Sequence, residues 1–211
     1  AEMKLDVYGE VKETSETGKK VVAVVSAMAG ETQRLIDLAK GVQEIPDPRE
    51  YDALISSGEQ VSVALLAMSL RSENLKSKSY TAFQLGLRTD DFHGKARISS
   101  IDTKNLLMDI SSNITPVITG FQGINEEGDI TTLGRGGSDT SAVALAVALN
   151  AEECQIYTDV NGVYTTDPNV YEKAKKIDKL TFEEMLELSS LGAKVLQIRS
   201  VEFASKYNIC L

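Results

Sequence analysis

The stretch Leu133–Asp139, LGRGGSD, sets three glycines, a guanidinium, a hydroxyl and a carboxylate at the mouth of the apolar run TSAVALAVALNA. Glycine lets backbone N–H groups approach an anion closely and take φ > 0. A helix N-terminus adds unpaired donors and a partial positive charge. Arg135 contributes a planar fork that fits a carboxylate or a phosphate. The combination suits the holding of anions. The same residues also fit a plain turn in which Ser138 or Asp139 caps the helix. The loop matches neither GxxxxGK[ST] nor GxGxxG, so it is not one of the two common nucleotide fingerprints.

Two further loops have related features. SAMAGET, residues 26–32, lies between the β-branched run KVVAVVSAMA and the helical pattern ETQRLIDLAKGV. GFQG, residues 120–123, follows the apolar run ITPVIT. Each alone reads as an ordinary turn. Together, after three expected strands, they would line one edge of one sheet, where ligands of open α/β sheets bind. Glu59 is an isolated acid that reads as buried in the helical stretch ALISSGEQVSVALLAMSLRS. YTDVNGVYTTDP, residues 157–168, is polar and aromatic where a strand should end. Its Asn161-Gly162 marks a turn, and a hairpin with Tyr164 as packing accounts for it equally well. His93, the sole histidine, lies in the turn DDFHGK and reads as structural or as a surface residue.

The elements that must position these residues alternate. KVVAVVSAMA, TAFQLGL, ARISSI, ITPVITGFQGIN and ECQIYTDV read as strands, and EEGDITTL as a hairpin arm. Helical periodicity marks ETQRLIDLAKGV, the SGEQ stretch, TKNLLMDISSN, TFEEMLELSSLGAKVL and RSVEFASKYN. NICL begins to look like a further strand. Such alternation implies βαβ units and a mostly parallel sheet covered on both faces. No repeat or convincing linker interrupts the 211 residues, so residues 1–211 are expected to form one domain, of one lobe or two.

Composition narrows the function classes. The net charge of −9 argues against a general nucleic-acid surface, although a local cationic cluster can still hold an anionic substrate. No run approaches the roughly 18 apolar residues of a membrane span, and the first ten residues lack a signal-peptide layout. Cys154 and Cys210 fit no metal or redox spacing, which points to a reducing cytoplasm.

Taken in order, VVAVVSAMAGETQRLIDLA, LISSGEQVSVALLAMSL, LGLRTDDFHGKARI, VITGFQGINEEGDITTLGRGGSD, QIYTDVNGVYTTDP and FEEMLELSSLGAKVLQIRS closely resemble the catalytic domain of the aspartate kinases. The likeness runs from Val21 to Leu211. The wider superfamily is the amino acid kinases, which includes acetylglutamate, glutamate-5 and UMP kinases. The GRGGSD loop and the SGEQ helix point to the aspartate branch. The resemblance implies a three-layer αβα sandwich. It also implies transfer of the ATP γ-phosphoryl to the β-carboxylate of L-aspartate, giving 4-phospho-L-aspartate. Its expected cofactors are ATP and Mg²⁺, with no dedicated metal-ligating residues. Its expected assembly is a homodimer or higher homo-oligomer.

By the same resemblance, Thr32, Glu59, Arg135 and Ser138 fall on positions that hold aspartate. Thr158, Asp159, Tyr164 and Lys194 fall on nucleotide positions. Tyr164 would pack near the adenine or ribose, and Lys194 near the nucleotide. Asp139 falls where an acid organises the lysines around the phosphates, so Arg135 and Asp139 are the expected catalytic residues. The acceptor is already a carboxylate at neutral pH, with a reference pKa of about 3.9, so no general base is required. What is required is alignment of two anions by cations, N–H donors and Mg²⁺.

Two departures stand out. The family opens with a strand carrying Lys-Phe-Gly-Gly-Thr-Ser, whose lysine contacts the transferring group. Here Lys4 is followed by Leu-Asp-Val, and no Gly-Gly pair precedes Gly136. The first strand and its loop are thus expected to be missing, either because the chain is part of a longer one or through true loss. True loss implies little or no kinase activity. Asn169 stands where relatives often carry an arginine near the phosphates, and the regulatory ACT domains that usually follow are not in this sequence. Two other readings remain: an amino acid kinase with a different acceptor, and a non-catalytic ligand-binding fragment.

Overall fold

The computed structural model describes residues 3–158, 160–168, 170–190 and 195–211, with side chains from Glu10 onward. In chain order its elements are α1 (Met3–Glu16), β1 (Ala23–Val25), α2 (Glu31–Val42), α3 (Pro48–Ile55), α4 (Ser57–Ser72), β2 (Ser77–Tyr80), α5 (Ala82–Leu85), β3 (Leu87–Thr89), β4 (Ile98–Ile101), α6 (Lys104–Ser111), β5 (Thr115–Thr119), β6 (Gln122–Ile124), β7 (Ile130–Thr132), α7 (Gly137–Ala148), α8 (Phe182–Ser190) and α9 (Ile198–Tyr207). The chain divides into two compact units, Ala1–Ser141 and Ala142–Leu211.

The first unit is organised by an all-parallel sheet of order β1-β5-β2. Val25 pairs with Thr119 and Tyr80 with Ile118, so β5 is central and its carboxyl end lies beside that of β1. Its sequence, TPVIT, is an unbroken apolar-centred run, as a strand covered on both faces requires. On one face α4 presents Val63, Leu66, Ala67 and Leu70 to Ala23 and Val117. The spacing of those four is the i, i+3, i+4, i+7 stripe of an amphipathic helix. Val11 of α1 joins the same cluster. On the other face α6 covers the sheet, with Leu106 fully buried and Asp109 accepting a hydrogen bond from the Tyr80 hydroxyl at 2.5 Å. Helix, sheet and helix are the three expected layers. The helical run Pro48–Ser72 reaches a mean hydropathy of 1.4 over its most apolar window, 56% of which is buried. Asp52 and Glu59 lie within that run, and its apolar stripe is spent on the core.

A second sheet, of order β4-β3-β6-β7, is mixed. β3 runs parallel to β6 and antiparallel to β4, and β6 and β7 form a hairpin. Two stretches depart here from the sequence reading. TAFQLGL is not a strand. Thr81 and Gln84 form a reciprocal capping box, and Gly86 closes the helical turn at φ 68°, so local capping outweighs the apolar run. ITPVITGFQGIN is two strands in two sheets, joined by Gly120 and Phe121, the latter at φ 69°.

In the second unit the later part of α7 supplies Val143 and Ala146 to a core with Cys154, Ala204 and Ile209. ECQIYTDV is not a strand among the described residues. It makes one parallel bridge, Glu153 to Cys210, with the Cys154 N–H donating to the Cys210 carbonyl at 2.8 Å. Among the described residues NICL takes part in β-pairing only through this bridge. Neither cysteine is in a disulfide; Cys154 is buried and Cys210 exposed. Thr181 and Glu184 cap the start of α8, and the Phe203 and Tyr207 rings on α9 lie 4.9 Å apart.

Candidate acceptor site at the carboxyl edge of the parallel sheet

The carboxyl ends of β1 and β5 are held together beyond their last pair. The Gly120 N–H donates to the Val25 carbonyl at 2.9 Å. From this edge the chain enters the loop 26–30 and then α2, whose first turn carries Thr32, half-buried. Across the loop stands the first turn of α4. Gly58 makes that approach feasible: a Cβ there would fall 2.8 Å from the Ala27 Cβ.

The close approach places Glu59. Its Oε1 accepts from the Ala27 N–H at 3.1 Å, and the residue is only 3% exposed. Its Oε2 is buried and has no hydrogen-bond partner. Burial strips water from the carboxylate and raises its pKa from 4.5 to about 7, with the Ala27 N–H pulling weakly the other way. A buried, half-satisfied carboxylate is a strong acceptor for a cationic group of small size. The Thr119 hydroxyl, at the end of β5, is a second buried oxygen without a partner. Thr119 lies on the same face of β5 as Val117, which packs on α4.

The glycine loop comes to the same edge. A Cβ on Gly120 would lie 2.6 Å from the Ser138 Oγ, so the serine side chain rests directly over the β5–β6 step. A Cβ on Gly137 would meet Phe121 and Leu133 at 3.0 Å. The Phe121 N–H donates to Ser141 Oγ at 3.1 Å, and that hydroxyl donates to the Gly137 carbonyl at 2.8 Å. Gly134 and Gly136 take φ 79° and 69°, which a side chain would resist. Arg135 is exposed on this turn. Asp139, in the first turn of α7, is half-buried, and burial raises its pKa.

Thr32, Glu59, Arg135, Ser138 and Asp139 are therefore carried on the loops and helix N-termini at this edge. Thr158 and Tyr164 belong to the second unit. Thr158 is exposed, and Tyr164 is half-buried in an antiparallel bridge with Lys176, flanked by the Thr165 N–H to Lys175 carbonyl bond of 2.9 Å. Asp159, Asn169 and Lys194 lie outside the described residues. Among the described residues no group of three His, Cys, Asp or Glu side chains could enclose a metal ion.

Sequence reasoning missed Asp52. This fully buried carboxylate of α3 accepts from Thr132 Oγ1 at 2.7 Å, from the Thr132 N–H at 2.9 Å, from the Gly94 N–H at 2.9 Å and from His93 Nδ1 at 3.0 Å. Local sequence gives little signal, since Asp52 follows Glu50 in PREYDALI and its donors are distant along the chain. His93 is thereby a structural partner.

The model of the amino acid kinase family matches residues 4–210. The chain belongs to the amino acid kinase family. Among curated amino acid kinases it is similar to "Aspartate kinase Ask_LysC" of Stutzerimonas stutzeri, 59% identical over 97% of this chain and 50% of that protein. The aspartokinase of Geobacillus stearothermophilus is 52% identical over 97% of this chain and 50% of its own length. The chain thus spans about half the length of the curated relatives it matches. The aspartate kinase structure from Synechocystis superposes with a TM-score of 0.85 at 45% identity, covering 99% of this chain and 34% of that one. Aspartokinase III of E. coli in complex with aspartate and ADP gives 0.74 at 34% identity, over 85% and 42%.

Proposed function

We propose that the chain is the catalytic part of an aspartate kinase, moving the γ-phosphoryl of ATP to the β-carboxylate of L-aspartate. The observation that carries this reading is the buried Glu59 carboxylate with one oxygen unspent, at the same carboxyl edge of the sheet that Ser138 of the glycine loop reaches over Gly120. An amino-dicarboxylic acid offers the complementary groups. Its ammonium pairs with Glu59, with Thr32 on the neighbouring helix turn. Its α-carboxylate takes the fork of Arg135 and the Ser138 hydroxyl. The aspartate kinase names of the relatives, and the aspartate and ADP bound to the E. coli enzyme, support aspartate and an adenine nucleotide as the ligands.

Held this way, the β-carboxylate is the nucleophile and needs no base. Thr158, Asp159, Tyr164 and Lys194 are proposed for the nucleotide, and Asp139 for ordering cations around its phosphates. Mg²⁺ neutralises phosphate charge when it is bound. It would arrive chiefly on the phosphates, as is usual for this ion. Cysteines outside any disulfide fit a cytoplasmic setting, and we propose a homo-oligomer.

The test is steady-state turnover of the full-length protein with Mg-ATP, trapping any acyl phosphate as its hydroxamate. Aspartate should be the preferred acceptor over glutamate, acetylglutamate and UMP. Preference for one of the other three would replace the reading. ATP binding without turnover would reduce it to a ligand-binding module.

A further inference from the structure

We propose that Asp52 is a positioning residue for phosphoryl-acceptor binding, acting by clamping both strands of chain that frame the glycine loop carrying Arg135. The proposal rests on the reading of Arg135 as the grip on the acceptor's carboxylate.

The argument starts from cost. A carboxylate excluded from water is expensive unless donors surround it, and an apolar side chain would often hold a helix in place as well. Asp52 is fully buried, and four donors repay it. None of the four comes from its own helix. Two come from Thr132, two residues before Gly134. The other two come from His93 and Gly94 of the 91–95 turn. That turn is the second wall of the loop, since a Cβ on Gly134 would fall 2.8 Å from the Gly94 carbonyl oxygen. One side chain therefore sets the spacing between the two segments that enclose Gly134.

Thr132 is held on every backbone side. Its N–H and hydroxyl go to Asp52, and its carbonyl accepts from the Ala96 N–H at 2.9 Å. The next residue, Leu133, donates its N–H to the Phe121 carbonyl at 2.8 Å. Beyond it the chain is Gly-Arg-Gly-Gly, which has little conformational preference of its own. The direction in which Arg135 leaves the fold is then decided by where Thr132 and Gly94 are fixed. A guanidinium fork that must meet a carboxylate in two places tolerates little displacement, and misplacement of about 1 Å can cost on the order of a hundred-fold in rate.

The experiment compares variants in the full-length protein, with folded fraction measured alongside kinetics. Asp52→Asn keeps the shape but turns an N–H₂ toward donors. Expected is a rise of about ten-fold or more in KM for aspartate, with KM for ATP changing less than about two-fold. Thr132→Val removes only the hydroxyl bond and should raise KM for aspartate by about three-fold. His93→Gln keeps a donor and should remain within about two-fold of the parent. If Asp52→Asn does not fold, Thr132→Val decides alone. The proposal is overturned if KM for aspartate is unchanged in the folded fraction of Asp52→Asn and Thr132→Val while activity merely tracks that fraction. Arg135→Ala separates the two layers. Its KM for aspartate should rise, and with that rise an unchanged Asp52→Asn refutes positioning only. An unchanged KM in Arg135→Ala overturns the role of Arg135 and the proposal with it.

Discussion

Replacing Glu59 with glutamine removes a titration that burial has moved to about 7. In the unliganded protein the unfolded carboxyl, near 4.5, loses its proton before the folded one does. Between those two values the native state holds more protons than the unfolded state, so this group's contribution lowers stability as pH rises. Pairing with an ammonium demands the charged form and pulls the pKa back down. At about pH 6 a carboxyl with pKa about 7 is roughly nine-tenths protonated, so aspartate binding should release about 0.9 proton. At about pH 8 the release should fall to about 0.1 proton, and affinity should be about ten-fold higher than at pH 6. Calorimetry in two buffers of different ionisation enthalpy reads the proton count directly. Glu59→Gln keeps an oxygen for the Ala27 N–H, so the fold should persist while the pH-dependent release disappears and affinity drops. Equal proton release in parent and variant, or none in the parent at about pH 6, would refute both the buried titration and the ammonium contact.

Other outcomes follow from the packing. Gly120→Ala pushes a methyl into Ser138 and should cost about 1–3 kcal/mol in urea denaturation while weakening aspartate binding. Thr81→Ala loses the α5 capping box and should cost ~1 kcal/mol in urea denaturation. Leu70→Ala empties a fully buried position of the α4 stripe and should cost about 2–5 kcal/mol by the same measurement.

What could be read from the residues had a physical reason to be readable. LGRGGSD announced itself because glycine, arginine and serine at a helix mouth have few uses in common. The four-residue stripe of α4 and the apolar run of β5 could be read for the same reason, since each serves one face or one layer. The buried state of Glu59 was legible because it is the one acid in the helical stretch ALISSGEQVSVALLAMSLRS. Strand ends were less so. Nothing in TAFQLGL distinguishes an apolar strand from a capped turn except the Thr81–Gln84 pair and Gly86, which act over a few residues. The division of ITPVITGFQGIN between two sheets depends on partners distant in sequence. Asp52 was hidden for that reason also, since its donors lie 41, 42 and 80 positions away and local pattern carries no trace of them.

Only Gly120 and Phe121 separate the central strand of the parallel sheet from β6 of the mixed one. So short a joint leaves no slack. An extra residue there would shift the pairing of one sheet or the other by one place, turning an entire inward row of side chains outward. Length variation among homologues should therefore spare this joint and collect in the 125–129 turn, whose Gly128 has open space around it. The same turn is the place to graft a reporter or an affinity handle without disturbing either sheet.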